Sequence, residues 1–172
     1  MQCSPWSFLS RQLLAEMSTN SDKSQHGCAI VLGATGVVIL GPSGSGKSRL
    51  SHKLIESWAK HQAYARWVAD DRIRVNQNGS HYIVTSPPAI EGLAERRFAG
   101  IESVPYQSRA VVDLVVELKP GRELDRLPEE QMLQLTPDGP HVPAMSVPRD
   151  SLLQAIELIE ARLVPNSPNS GR

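Results

Sequence analysis

Residues 41–48 read Gly41-Pro42-Ser43-Gly44-Ser45-Gly46-Lys47-Ser48, which fits the spacing G-x-x-x-x-G-K-[ST]. Each residue type has a physical task. Glycines let backbone N–H groups converge on phosphate oxygens with no side chain in the way. A helix that starts just after the loop aims its positive end at the anion. Lys47 brings a charge to the terminal phosphates, and the Ser48 hydroxyl suits a Mg²⁺ ion. Lys47 is expected at a solvent-facing loop–helix junction. The frame of the motif separates it from a chance Gly/Ser loop. The apolar run VVIL (37–40) precedes it, and Leu50, Leu54, Ile55 and Trp58 recur at helical spacing from Lys47 to about Ala59. Strand, phosphate loop and helix in that order predict a nucleotide-binding α/β domain.

Outward from the loop, CAIVL-GATG-VVIL (28–40) reads as two short strands around a Gly-containing turn. A hairpin therefore feeds the loop, where an ordinary phosphate-loop kinase has a single parallel strand. Downstream, ARWVADD (65–71) is a strand ending in two acids. Neighbouring strand side chains point to opposite faces. One of Asp70 and Asp71 is then free to face the phosphates while the other packs or orients. RIRVNQNGSHYIVT (72–85) is a second hairpin with Asn78-Gly79 at its turn. GLAERRFAGI (92–101) reads as a turn-rich or briefly helical connector, AVVDLVVEL (110–118) as one buried strand, and LPEEQMLQL (127–135) as a short amphipathic piece. AMSV (144–147) is the last strand, and Asp150 or Ser151 is expected to cap a helix running to about Leu163.

The bulk numbers narrow the function classes. A chain of 172 residues with 40% hydrophobic residues suits one domain with a real core. Lys+Arg 18 balance Asp+Glu 18, so no basic excess points to nucleic acid. No apolar run approaches the roughly 20 residues that span a bilayer, so no membrane partner is expected. Cys3 and Cys28 are the two cysteines, too few for a disulfide framework, and a reducing cytoplasm is the natural compartment. Residues 1–25 end in the polar stretch STNSDKSQ and read as a disordered extension without a secretory signal. The folded domain is expected over 26–164, with 165–172 a disordered tail.

Taken in order, these elements resemble the catalytic domain of the HPr kinase/phosphorylase family, bacterial enzymes that phosphorylate a serine of the phosphocarrier HPr. The resemblance covers about His26 to Ile159. It rests on HG (26–27), GPSGSGKS (41–48), VADDRIRV (68–75), ERRFAGI (95–101) against the family's E-I-R-G-L-G-I, and LDRL (124–127). It implies a P-loop domain of the HPr kinase/PEP carboxykinase-like type, with a mixed sheet and a hairpin before the P-loop. It also implies ATP and Mg²⁺ as cofactors and an HPr-like protein of a bacterial phosphotransferase system as partner. Because the family assembles as hexamers, it allows a homo-oligomer. By resemblance Gly41 to Ser48 hold the phosphates, Ser48 and Glu95 hold Mg²⁺, and Lys47 stabilises charge on the transferred group. Asp71 is the base toward the serine, His26 lies near the phosphates as a catalytic residue, and Arg126 stabilises developing charge. Asp70 is left between orienting Asp71 and fixing a nearby loop.

The chain departs from the family at several places. At 172 residues it is expected to lack the separate N-terminal domain that members usually carry. ESVPYQSR (102–109) replaces a longer Gly/Ala-rich loop, and Arg96 and Phe98 stand where the signature has Ile and Gly. VPRDSLL (147–153) stands where the family has a P-V-x-x-G-R-like segment linked to phosphate removal, with Arg149 the nearest basic residue. These changes spare the phosphate loop, so kinase activity is expected to exceed the reverse phosphorylase activity. Two other readings compete: a small-molecule kinase on the same loop, and a nucleotide-sensing module with little catalysis. The hairpin and the Asp pair speak against the first, and Asp71 with Glu95 against the second.

Overall fold

The computed structural model describes residues 24–163, so most of the expected N-terminal extension, Cys3 and the expected tail lie outside the described residues. The expected hairpin is present as β2 (Cys28–Leu32) and β3 (Thr35–Leu40), which pair antiparallel. Every residue of β2 is buried. Its uninterrupted apolar run follows from having both faces covered. Cys28, Ile30 and Leu32 point to one side and Ala29 and Val31 to the other.

Helices α1 (Lys47–Lys60) and α2 (Leu152–Leu163) cover the first side through Leu50, Leu54, Ala155 and Ile159. The second side meets a four-stranded antiparallel sheet of β1 (Ser24–His26), β5 (Arg72–Asn78), β6 (His81–Thr85) and β9 (Arg109–Val111). Ile73, Tyr82, Val84 and Ala110 fill that interface. Ser24 and Gln25, read from sequence as extension, pair with Arg74 and Ile73 in this sheet. Burial of a Leu or Ile side chain contributes about 1.5–3 kcal/mol, so the two apolar layers supply the main driving force.

The central sheet holds six strands in the order β11 (Gln131–Gln134), β12 (His141–Pro148), β10 (Leu114–Lys119), β3, β2, β4 (Ala65–Ala69). Strand β10 runs parallel to both β3 and β12, and the remaining neighbours are antiparallel. The sheet is mixed, as expected.

Three local readings are corrected. AVVDLVVEL is two strands, because the chain leaves the four-stranded sheet after Val111 and enters the six-stranded one at Leu114. At that crossing the Asp113 carboxylate accepts the Gly36 N–H at 2.8 Å, and a Cβ on Gly36 would collide with the Val111 carbonyl oxygen. Only glycine lets the two backbones approach so closely. The piece LPEEQMLQL contributes edge strand β11, its side chains alternating half-buried and exposed. GLAERRFAGI is a hairpin, β7 (Leu93–Arg96) and β8 (Gly100–Ser103), forming a two-stranded sheet of its own. Helix α2 begins after Ser151, while the Asp150 carboxylate accepts the Gly121 N–H at 3.0 Å. Among the described residues no helix is long and apolar enough to cross a membrane.

Candidate active site

Strand β3 delivers the chain directly into the loop 41–46, and α1 starts at its far end. Gly46, the residue before the helix, sits at φ 97, a left-handed conformation that favours glycine. The helix has no side-chain cap and no acid in its first turn. Its first N–H groups have no intrahelical acceptor, so an anion fits there. The Ser45 hydroxyl oxygen is buried and lacks a hydrogen-bond partner. A Cβ added at Gly44 would meet nothing within 4 Å, so the loop's rim is open. These features fit a phosphate.

Lys47 is placed differently from the sequence expectation. It is 6% exposed, and its ammonium donates to the Gly41 carbonyl at 3.0 Å and the Pro42 carbonyl at 2.9 Å. The lysine curls back along the loop to these two carbonyls, which lie outside the sheet ladder; the Pro42 carbonyl also accepts the Ser45 N–H at 3.2 Å. Its charge is thereby held at the loop.

Asp70 is the centre of the site. Only 4% exposed, it accepts four donors. Oδ1 takes the Ser48 hydroxyl at 2.7 Å, the Cys28 thiol at 3.0 Å and the Asp71 N–H at 3.0 Å; Oδ2 takes the Glu95 N–H at 2.8 Å. Both residues implied as magnesium ligands are thus positioned by one carboxylate. Sequence reasoning left Asp70's task open, and nothing in the sequence showed Cys28 beneath it. Burial, then the Asp70 charge, push the Cys28 thiol up, so it stays protonated and donates.

Asp71 separates from Asp70 by a turn rather than by the pleat of a strand. Strand β4 ends at Ala69, and the Arg72 N–H reaches back to the Asp70 carbonyl at 2.7 Å. This three-residue turn holds Asp71 at φ 63, a conformation that Asp tolerates better than most residues. Strained backbone of this kind gathers at functional sites. The Asp71 carboxylate is exposed and lies 3.5 Å from Nδ1 of His26, at the end of β1. The structure therefore brings His26 to Asp71.

Glu95 sits on β7, its backbone anchored to Asp70 and its side chain exposed. The hairpin is clamped onto α1 by Arg96, whose guanidinium lies 2.8 Å from Glu102 and 3.9 Å from Glu56. Glu56 also meets Lys53 at 2.7 Å, and that hydrogen bond holds its carboxyl below the usual range. Arg96 does the same to Glu102. His52, one turn beyond Ser48, packs edge-on against Trp67 with Nε2 buried and 4.0 Å from Glu102. Sequence reasoning did not single out His52.

A groove of about 950 Å³ gathers the loop residues Ser43 to Ser48 with Asp71 and Glu95. Arg49, Arg97, Phe98 and Arg149 also line it. Arg126 does not. After β10 the chain turns through a short helix at Gly121–Glu123 and carries Arg126 into a second cavity beside Lys119 and Arg162. Arg149 does line the groove, and its backbone N–H donates to the Lys119 carbonyl at 2.8 Å.

Among the described residues no cluster of three or more His, Cys, Asp or Glu could cage a metal by itself. The residues implied as ligands, Ser48 and Glu95, both line the groove, and their hydroxyl and carboxylate are hard oxygens. Mg²⁺ is commonly held by one or two carboxylates together with substrate phosphates, so this set fits it.

Comparison with known proteins gives a family and a fold. The family model of the HPr Serine kinase C-terminal domain matches residues 17–167. The HPr kinase/phosphorylase of Lacticaseibacillus casei (strain BL23) is 34% identical over 137 residues, 73% of this chain and 41% of the relative. The HPr kinase/phosphorylase of Clostridium acetobutylicum is 30% identical over 133 residues, 72% of this chain and 39% of the relative. The chain thus spans about two fifths of the length of these curated relatives. The solved HPr(Ser) kinase/phosphatase from Coxiella burnetii superposes with a TM-score of 0.66 at 22% identity, covering 82% of this chain and 96% of that one. At that identity the likeness concerns the fold.

Proposed function

The chain belongs to the HPr Serine kinase C-terminal domain family, and from that premise we propose that it transfers the terminal phosphoryl group of ATP to a serine of an HPr-like phosphocarrier. One observation carries this reading. Asp70 ties Ser48 and Glu95 together while the adjacent Asp71 stands exposed at the same groove. A phosphate cradle, a metal-ligand pair and a free base converge on one opening.

The loop N–H groups, Ser45 and Lys47 bind the phosphates of ATP. Ser48 and Glu95 would hold Mg²⁺, which when bound neutralises charge on the transferred group. Asp71 takes the proton of the acceptor serine as its oxygen bonds to the terminal phosphorus and the bond to the diphosphate leaving group breaks. His26 stands beside Asp71 to orient it. Arg149 faces the groove as the cation for developing charge. The same Asp71 would return the proton in a reverse, phosphate-dependent step, which the short VPRDSLL segment makes the weaker direction. A phosphocarrier substrate implies the bacterial cytoplasm.

The test is mass spectrometry of purified HPr after incubation with the chain, ATP and Mg²⁺. A single added phosphoryl group on a serine is expected. HPr that gains no phosphoryl group overturns the reading.

A further inference from the structure

The tip of the β7–β8 hairpin carries a residue that its own fold does not need. Arg96 to Ala99 form a tight turn, closed by the Ala99 N–H to the Arg96 carbonyl at 2.8 Å. Phe98 occupies the third position at φ 68. A turn with positive φ there favours glycine, because a Cβ is crowded in that conformation. Yet the position holds a phenylalanine that is 98% exposed, so no burial offsets the strain. Ile101, on the same hairpin, is 73% exposed. Beside them the Arg97 guanidinium lies 5.3 Å from the Phe98 ring centroid. Among the described residues Arg97 makes no ion pair. The tip is thus an apolar knob with a free cation, and Arg97 and Phe98 both line the phosphate groove.

We propose that Phe98, Ile101 and Arg97 form the docking surface for the phosphoryl-acceptor protein. This rests on the kinase reading above. The acceptor surface would offer a shallow apolar depression for the ring and a carboxylate for Arg97, next to the serine that receives phosphate. Continuity with the groove favours this occupant. Phe98 stands three residues beyond Glu95 on the hairpin whose base is anchored to Asp70, so a protein seated on the tip delivers its hydroxyl toward Asp71. An exposed phenylalanine beside an arginine with no ion pair among the described residues matches side-chain types enriched at protein interfaces.

The experiment uses the full chain with HPr as probe, comparing wild type, Phe98→Gly and Phe98→Leu. Glycine removes the knob and relieves the positive φ; leucine keeps apolar bulk. For Phe98→Gly, KM for HPr should rise about tenfold or more. KM for ATP should stay unchanged and the thermal midpoint should not fall. Phe98→Leu should recover most of the HPr affinity. Unchanged KM for HPr in Phe98→Gly overturns the proposal. So does a rise confined to KM for ATP, which would assign the ring to the nucleotide base. Loss of self-association with HPr affinity intact would assign it to a second copy and overturn the proposal as well. A wild type that phosphorylates no HPr fails at an earlier step, and that failure belongs to the kinase reading and takes this proposal with it.

Discussion

The Asp70 carboxylate accepts the Ser48 hydroxyl at 2.7 Å from below the phosphate loop, and its other oxygen accepts the Glu95 N–H at 2.8 Å. Helix α1 and the β7–β8 hairpin are therefore registered against each other by one buried side chain. Asp70→Asn would turn one of those oxygens into an NH₂ group facing a donor. Loss of such a buried pairing costs about 1–3 kcal/mol. The variant should melt earlier in a denaturant titration and need more Mg²⁺ for the same rate. A variant with native stability and native Mg²⁺ dependence would remove Asp70 from this positioning role.

Lys47→Ala should lower phosphoryl transfer by about 100- to 1,000-fold, the usual cost of losing a positioned charge donor. Because Lys47 also serves the Gly41 and Pro42 carbonyls, a loss of stability of about 1 kcal/mol should accompany it. Transfer rates and denaturant midpoints separate the two effects. Transfer at the native rate would refute the phosphate-loop assignment.

Asp71→Asn should bind ATP normally and lose transfer by about 100- to 10,000-fold. Asparagine is the informative substitute because it tolerates the left-handed backbone found at φ 63. Nucleotide titration by fluorescence and a single-turnover assay check the two halves. Retained transfer would move the base elsewhere in the groove.

Glu95→Gln should leave stability within about 0.5 kcal/mol of wild type, since the side chain is exposed and its backbone bond to Asp70 survives. Activity should require more Mg²⁺, because the amide lacks the charge that attracts the cation. Parallel Mg²⁺ titrations decide it. An unchanged midpoint would rule Glu95 out as a ligand.

Arg149 and Arg126 should behave differently. Arg149 lines the groove in the same chain, so Arg149→Ala should lower transfer at every protein concentration. Arg126 lines another cavity, so any loss from Arg126→Ala needs a second copy and should vary with protein concentration. An Arg126→Ala defect that persists on dilution to monomer would show that the loop carrying it swings into its own groove.

The sequence by itself determined the phosphate loop, the hairpin that feeds it and the helix that follows. Those features are written locally, in glycine spacing, turn residues and the period of apolar side chains. It also determined the Asp pair and, through the spaced motifs shared with the family, Glu95 as a candidate ligand. Only the tertiary structure decided what each acid does. Asp70 and Asp71 are neighbours in sequence, yet a tight turn buries one beneath Ser48 and leaves the other beside His26. Only the fold separated Arg126 from Arg149, because their distance from the loop depends on which way the chain leaves β10 and β12. The hairpin at 93–103 was harder to read: its turn carries Phe98 at positive φ where a glycine would have marked it, and the Arg96–Glu56 contact that ties it to α1 joins segments far apart in sequence. Local propensity records turns and periods; it does not record which buried carboxylate a distant N–H will find.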